Sequence, residues 1–166
     1  MIVRPPTTTL DRLARCLADS GKTLAVAESC TAGALAARLA ASDGASKWLW
    51  GGVIVYSAAA KAQLLGLDRE LMMAQGLVGS DTTAAMARGI QALATASLGL
   101  AITGWAGPTG GTQTDPVGSV YVALADAHSV RVERRLIEGD RLAVQRGAVI
   151  AALELLDGHL GSNGEG

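Results

Sequence analysis

Hydrophobic residues along the chain follow two patterns, the 3.6-residue repeat of helices and the short continuous runs of buried strands. The segment TTTLDRLARCLADSG shows the helical repeat, because its three leucines share one face. A threonine at its start and Gly21 at its end are the residues that helices favour at these positions. The next run, TLAVAE at 23–28, is short and apolar. The chain is therefore predicted to begin with a helix that leads into a buried strand.

The same alternation continues towards the carboxyl end. Helices are predicted at 31–42 beginning at Thr31, at 58–65, at 68–75, at 81–97 after the capping pair Ser80 and Asp81, and from Asp140 to about residue 158. Strands are predicted at 48–57 with a bulge at Gly51 and Gly52, at 98–104, and in the hairpin formed by VGSVYVALAD and VRVERRLIE. Trp48 and Trp50 lie two apart in the first of these strands, so we expect them to share a face, either in the core or at a subunit contact.

Helices that alternate with a few strands and end in a hairpin predict an α/β fold. We expect a three-layer α/β/α sandwich around a mixed, mostly parallel sheet. The sequence shows no internal repeat and no linker, and its 166 residues suit one domain over 1–166. Residues 161–166, GSNGEG, are expected to form a disordered tail.

Composition narrows the set of partners. The net charge is −1 and aromatic residues make up only 3%, so neither a nucleic acid nor an anionic membrane is expected as a partner. The uncharged stretch 89–114 is rich in glycine and threonine, which favours a buried strand and a loop over a membrane span. The amino terminus lacks the apolar core of a secretory signal. Two cysteines form neither a disulfide framework nor a four-ligand zinc site, so we expect a cytoplasmic protein without metal or cofactor.

Three polar segments follow the predicted strands: ESCTAG, YSAAAK and TGWAGPTGGTQTDP. Taken singly, each has an ordinary structural explanation, since serines cap helices, lysines lie in solvent and glycine loops connect elements. Because carboxyl ends of parallel strands meet at one sheet edge, the three segments together indicate a ligand site there.

Five motifs in this chain resemble the CinA C-terminal family: AESCTAG, GGVIVYS with a lysine five residues after its tyrosine, LAITGWAGPTGG, DPVGSVYVALA and GDR before the last helix. The resemblance covers roughly residues 10–156. Characterised members of that family are nicotinamide mononucleotide deamidases, and longer members carry an additional amino-terminal domain of the molybdopterin-binding type. At this length we expect the stand-alone form.

The resemblance implies an amidase with a Ser–Lys–Tyr arrangement: Ser29 as nucleophile, with Tyr56 and Lys61. The chemistry of the residues supports this independently. A serine hydroxyl needs a base within hydrogen-bond reach, and neither His128 nor His159 is well placed in the predicted fold. A lysine surrounded by alanine and leucine can lose its proton near neutrality and serve as that base.

Substrate contacts are expected from the predicted start of the second helix, from the glycine loop and from the start of the last helix. Amide groups at a helix start stabilise an oxyanion or hold a phosphate, and glycines let backbone N–H groups approach an anion. The candidate binding residues are Thr31, Gly33, Thr103, Gly104, Gly107, Gly110, Gly111, Arg141 and Arg146. The expected substrate is a pyridine ribonucleotide.

Three departures from the family pattern keep an alternative open. The family usually has Gly at Ala32, Asn-Glu at Ala58 and Ala59, and GAVS where this chain has GLVG before Ser80. An active enzyme is favoured, and the alternative is a catalytically weak or inactive ribotide-binding domain. A third interpretation makes Cys30 the nucleophile. The sequence leaves open a homo-oligomer.

Overall fold

The computed structural model describes residues 8–162, which form six α-helices and five strands. The helices are α1 (Thr9–Ser20), α2 (Ala34–Ala40), α3 (Ala58–Leu65), α4 (Arg69–Gln75), α5 (Ser80–Ala94) and α6 (Arg141–Ser162), with a 3₁₀ turn at Ala45–Lys47. The strands are β1 (Leu24–Glu28), β2 (Leu49–Ile54), β3 (Leu98–Gly104), β4 (Ser119–Ala125) and β5 (Val130–Leu136).

The five strands form one mixed sheet in the order β2-β1-β3-β4-β5. β1 pairs in parallel with both β2 and β3, whereas β4 pairs antiparallel with β3 and with β5. Four strands therefore share one direction and β4 runs opposite to them. Glu28, the last residue of β1, lies level with Ile54 of β2 and Ile102 of β3. The carboxyl ends of these three strands thus meet at one edge, which the sequence predicts to hold the site.

Helices cover both faces of the sheet, which confirms the predicted α/β sandwich. On one face, α1, α2 and α6 pack on the large aliphatic side chains of the strands, such as Val26, Leu100 and Val122. On the other face, α5 lies against small residues of the same strands, such as Ala27, Ala101 and Ala123. The small residues bring α5 close to the sheet: a Cβ on Gly99 would lie 2.2 Å from the Ala87 carbonyl oxygen.

Local signals place most element boundaries well. Thr8 caps α1 in a reciprocal pair with Asp11, and Gly21 ends that helix with a left-handed φ of 65°. The first turn of α6 is capped by Asp140, whose carboxylate accepts the Ala143 N–H. The hairpin of β4 and β5 is antiparallel as predicted.

Three predicted boundaries are wrong. α2 begins at Ala34, not at Thr31, and its cap residue is Gly33. The cap residue of α5 is Gly79, so Ser80 and Asp81 belong to the helix and do not cap it. Gly161 and Ser162, expected in the tail, extend α6, and the remaining tail residues lie outside the described part of the chain.

β2 contains a bulge, but its extra residue is Trp50, just before the predicted Gly51 and Gly52. The pairing of β1 with β2 shifts by one residue, because Leu24 lies opposite Leu49 while Ala25 lies opposite Gly51. Trp48, just before the strand, is buried in the core, whereas Trp50 has 51% of its surface exposed. The expectation that both share a face is therefore wrong, since an extra residue in a strand interrupts its alternation.

Candidate functional site

Ser29 lies at the carboxyl end of the central strand, in the turn that joins β1 to α2. Its backbone N–H donates to the carbonyl of Ile102 on β3 at 3.1 Å, which continues the sheet pairing by one residue. From the other side, the Gln145 amide on α6 donates to the Cys30 carbonyl at 2.8 Å. The turn is therefore held both by the sheet and by α6.

Glu28 occupies the place that the sequence assigns to an anionic ligand. Its carboxylate is 1% exposed and accepts from the Thr31 hydroxyl at 2.6 Å. It also accepts three backbone N–H groups at the start of α2, from Gly33 (3.1 Å), Leu35 (3.1 Å) and Ala36 (2.8 Å). The fourth N–H there, of Ala34, donates to the Thr31 carbonyl. The expectation that these helix-start amides bind an oxyanion or phosphate is therefore wrong, because the protein's own carboxylate already uses them.

Ala32, in the middle of this turn, has a left-handed backbone with φ of 51°. A Cβ in this region crowds the backbone and costs roughly 1–2 kcal/mol, which explains why a glycine suits the position. The departure from the family pattern at Ala32 therefore places strain within three residues of Ser29.

We expect Ala32→Gly to stabilise the protein by about 0.5–1 kcal/mol, because relief of strain exceeds the added chain entropy of glycine. The exposed Ala32 methyl loses little packing. Urea unfolding measures the change. Ala41→Gly is the matched control, since Ala41 is also exposed but has an ordinary φ of −71°; it should destabilise the protein slightly. Equal destabilisation by both variants would show that Ala32 is not strained.

Lys61, on α3, is brought to Ser29 from 32 residues away. Its side chain is 2% exposed, and its Nζ lies 3.4 Å from the Ser29 Oγ. Among residues 8–162 it forms no ion pair with a carboxylate. Burial lowers the pKa of Lys61 below the usual 10.5 of a lysine, because the charged ammonium is desolvated.

Tyr56 stands at the mouth of the site and is 60% exposed. Its hydroxyl faces Arg141 at the start of α6, with the Arg141 Nη1 at 3.5 Å, a long hydrogen bond. No hydrogen bond joins its hydroxyl to Lys61 or Ser29 in the part of the chain that the structure describes. Tyr56 and Arg141 therefore form the outer rim, and Ser29 and Lys61 the floor.

Cys30 borders the same cavity but has the wrong chemistry for a nucleophile. Burial raises the pKa of its thiol to about 11, so the thiol stays protonated near neutral pH. The structure thus disfavours the interpretation of Cys30 as nucleophile.

The glycine loop forms the wall opposite Lys61. Gly104, Trp105, Ala106, Gly107 and Thr109 line the cavity. The N–H groups of Ala106, Gly107 and Thr109 donate to no acceptor among residues 8–162, which leaves them available to a ligand. The glycine pattern predicts Gly104 and Gly107 as binding residues but does not predict Trp105. An aromatic residue inside a glycine loop is nevertheless itself a signal of a binding wall.

Asp115 anchors the far end of this loop to the hairpin. It accepts from the Tyr121 hydroxyl at 2.7 Å and from the Arg134 Nε at 2.9 Å. These bonds, the Tyr121 hydroxyl foremost, hold the pKa of Asp115 below its usual value. The loop is therefore tied to rigid strands at a carboxylate that stays ionised.

The cavity enclosed by these elements has a volume of about 220 Å³. Leu77 and Val78, just before α5, complete its wall with apolar surface. It combines a buried hydroxyl, a buried amine, an aromatic wall and one arginine at the rim. Such a mixture of apolar wall and few polar groups is typical of a small-molecule site.

The structure brings six of the predicted site residues to this cavity: Ser29, Tyr56, Lys61, Gly104, Gly107 and Arg141. Six others lie outside its lining: Thr31, Gly33, Thr103, Gly110, Gly111 and Arg146.

Each residue outside the cavity has another structural setting. Thr31 and Gly33 donate to Glu28, and Thr103 is buried with its hydroxyl 2.7 Å from that of Thr83. A Cβ on Gly110 would lie 2.8 Å from the Trp105 ring, and one on Gly111 would lie 2.8 Å from the Val117 nitrogen, so both glycines serve close packing of the loop. Arg146 lies in a separate groove between α2 and α6.

No group of three or more His, Cys, Asp and Glu side chains within residues 8–162 is arranged to hold a metal ion. None of the helices there combines the length and apolar character needed to cross a bilayer.

Comparison with known proteins identifies the family of this chain. Residues 7–160 match the family model of the CinA C-terminal domain. The chain belongs to the CinA family. A CinA-like protein from Syntrophomonas wolfei is 42% identical over 157 residues, which are 95% of this chain and 38% of that protein. One from Geobacter sp. strain M21 is 45% identical over 150 residues, 90% of this chain and 36% of the relative. This CinA-family chain thus spans a little over a third of the length of these relatives.

Solved structures share the CinA fold over nearly the whole chain. A CinA superfamily protein from Klebsiella pneumoniae has a TM-score of 0.89 at 33% identity, covering 96% of this chain and 99% of the other. A competence/damage inducible protein from Agrobacterium tumefaciens has a TM-score of 0.82 at 31% identity, covering 94% and 97%. The mixed sheet and its helices are therefore those of the CinA superfamily.

Proposed function

We propose that this CinA-family chain is an amidohydrolase that converts nicotinamide mononucleotide to nicotinate mononucleotide and ammonia, with Ser29, Lys61 and Tyr56 as its catalytic residues. One observation carries the proposal: a buried lysine, which pairs with no carboxylate among residues 8–162, lies 3.4 Å from a serine hydroxyl. A buried amine of this kind is costly as an ammonium and suits a base. The proposed setting is pyridine nucleotide salvage in the cytoplasm.

The chemistry requires two steps at Ser29. In the first, neutral Lys61 takes the hydroxyl proton while Oγ attacks the carboxamide carbon, and the C–N bond then breaks as Lys61 returns the proton to the departing ammonia. In the second, Lys61 deprotonates a water that hydrolyses the acyl ester, which releases the carboxylic acid and restores the Ser29 hydroxyl. Because each proton that Lys61 accepts is given back, the cycle balances.

A donor for the developing oxyanion comes from the turn itself. The N–H group of Cys30, the residue that follows Ser29 and part of the cavity lining, donates to no carbonyl or carboxylate among the residues described. Backbone donors held in a fixed turn stabilise negative charge without reorganising during the reaction. Glu28 leaves the Cys30 N–H unoccupied while it binds the amides that follow.

The substrate's phosphate is assigned to the rim. The cavity is smaller than the roughly 300–1,000 Å³ typical of ligand sites, so only the pyridine amide fits beside Ser29 and the ribose phosphate extends outward. Arg141 lies at that rim, and Gly107 and Thr109 line the same cavity with N–H groups that donate to no acceptor among residues 8–162. Trp105 supplies a flat wall for the pyridine ring.

We expect nicotinamide riboside, which lacks the phosphate, to be a poorer substrate than the mononucleotide by a factor on the order of a hundred. A charged hydrogen bond contributes about 1.5–3 kcal/mol, and 1.4 kcal/mol corresponds to tenfold in rate. Arg141→Gln should lower kcat/KM for the mononucleotide by a similar factor and leave the riboside almost unaffected. An ammonia-release assay with both substrates measures this.

Arg146→Gln is the matched control, because Arg146 lies on the same helix but outside the cavity. It should behave like the wild type with both substrates. Equal losses for the two arginine variants would contradict the assignment of the phosphate to Arg141. A wild-type protein that binds the mononucleotide but releases no ammonia would instead support the alternative, a ribotide-binding domain of the same family.

A further inference from the structure

We propose that Glu28 is a positioning residue of the catalytic site, which keeps the Ser29 hydroxyl within reach of Lys61 by holding the turn between β1 and α2. The inference rests on the proposed function, because it needs Ser29 to be the nucleophile. Nothing in the proposed chemistry uses Glu28 directly, yet it is the residue immediately before Ser29 and one of the most deeply buried charged side chains.

Four donors among the described residues bind the Glu28 carboxyl group. One oxygen, Oε2, accepts from the Thr31 hydroxyl and from the N–H groups of Gly33 and Leu35. The other, Oε1, accepts from the Ala36 N–H at 2.8 Å. All four partners donate, so the site suits a group whose two oxygens both accept. Hydrogen bonds to a charged acceptor in a buried setting are among the strongest in proteins.

These four bonds span the turn that carries the nucleophile. They tie the end of β1 to the start of α2, and Ser29 lies between the two attachment points. The backbone of Glu28 also accepts the Val55 N–H at 2.8 Å, which connects the same residue to the strand that leads to Tyr56. Because the turn includes the left-handed Ala32, it needs such a clamp to keep one conformation.

Glu28→Gln tests the role of the carboxylate, because glutamine keeps the size and shape of the side chain. Its amide has one accepting oxygen, and its NH₂ group would face an N–H of the helix, so at least one of the four bonds is replaced by a donor–donor contact. We expect the turn to shift slightly and the Ser29 hydroxyl to leave its position near Lys61. A displacement of about 1 Å at a reacting group can lower a rate by about a hundredfold.

The test compares wild type and Glu28→Gln in reaction with a fluorophosphonate probe, in which the Ser29 oxygen displaces fluoride from phosphorus. We expect Glu28→Gln to be labelled at Ser29 about ten to a hundred times more slowly but to full stoichiometry. With nicotinamide mononucleotide, kcat should fall similarly while KM stays nearly constant, since Trp105 and Arg141 lie on other segments.

Asp126→Asn is the matched control. Asp126 is also a carboxylate that accepts backbone N–H groups, from His128 and Ser129 at 2.7 Å each, but it lies in the β4–β5 turn at the opposite edge of the sheet. Its neutralisation should leave the labelling rate unchanged. Labelling of Glu28→Gln at the wild-type rate would overturn the inference. This holds also if only a fraction of the molecules is labelled at that rate, because such a result indicates only a loss of folded protein.

If Glu28→Gln does not fold, Thr31→Val decides the question. This isosteric change removes one of the four donors, the hydroxyl at 2.6 Å, and keeps the other three. Slower labelling with full stoichiometry supports the positioning role, and an unchanged rate refutes it. Failure of the proposed function gives a different result: wild type itself then neither reacts with the probe at Ser29 nor releases ammonia, and the inference falls with it.

Discussion

Ser29→Ala should abolish ammonia release from nicotinamide mononucleotide, with a loss of about four orders of magnitude or more in kcat. The hydroxyl is the atom that forms the acyl bond, and the neighbouring Cys30 thiol does not replace it, since burial raises its pKa to about 11 and keeps it protonated. The fold should be unaffected. The Ser29 hydroxyl makes one side-chain contact, the 3.4 Å contact with Lys61, so the free energy of unfolding should change by less than about 1 kcal/mol.

Cys30→Ala provides the matched control for this prediction. It removes the thiol of the residue next to Ser29, and it should leave the rate within a few-fold of wild type. Steady-state ammonia release, with urea unfolding of both variants, measures the two quantities. Substantial turnover by Ser29→Ala, or its loss in Cys30→Ala alone, would reject the serine as nucleophile.

Lys61→Arg should be nearly as damaging as Lys61→Ala. A base must lose its proton, and a guanidinium stays charged at every working pH. Arginine would preserve the positive charge, so the comparison separates a lysine that accepts protons from one that only attracts the substrate. We expect both variants to lose at least about a thousandfold in kcat. Lys47→Arg, at an exposed position, is the control and should retain activity.

The pH dependence of the wild type follows from the same lysine. Only neutral Lys61 accepts a proton, so kcat should rise as the pH rises through its pKa. Because burial lowers that pKa, the rise should come below the 10.5 of an ordinary lysine. A rate that does not depend on pH across this range, or an active Lys61→Arg, would show that the lysine acts as a fixed charge.

Stability should increase with pH over the same range as activity, because both depend on the neutral form of Lys61. Between the lowered pKa of the folded state and the pKa of 10.5 in the unfolded state, the unfolded chain binds more protons. The contribution of Lys61 to stability therefore increases with pH through this window and is least favourable below it. Lys61→Met should raise the free energy of unfolding near neutral pH even though it removes activity, as expected for a desolvated base.

The sequence determined those parts of the fold whose signals lie within a single helix or strand. α1 appears where its leucine repeat, its threonine cap and Gly21 predict it, because all three signals lie within the helix itself. The same holds for α3, whose observed and predicted bounds agree at 58–65. β1 was recognisable from its continuous apolar run, which is typical of a strand with both faces covered.

The wrong start predicted for α2 has a physical cause in the turn before the helix. Thr31 looks like a helix cap in the sequence, yet its hydroxyl donates to Glu28, and that carboxylate satisfies the first amides of α2 from outside the helix. Glu28 was visible as a charged residue at the end of an apolar strand. The hydrogen-bond donors of Glu28 were not visible in the sequence, because a cap supplied by the preceding strand depends on how the chain folds back.

The candidate site divides in the same way. The sequence by itself determined that Ser29 ends a buried strand, that Lys61 lies on a helix among alanines, and that a glycine loop follows the third parallel strand. Only the tertiary structure decided that Lys61 lies 3.4 Å from Ser29. It also decided that, of two similar arginines on α6, Arg141 reaches the cavity while Arg146 does not. The reason is that the helical repeat specifies only which face of the helix a residue lies on. The packing of α6 against α2 and the sheet decides which of its residues contact the cavity.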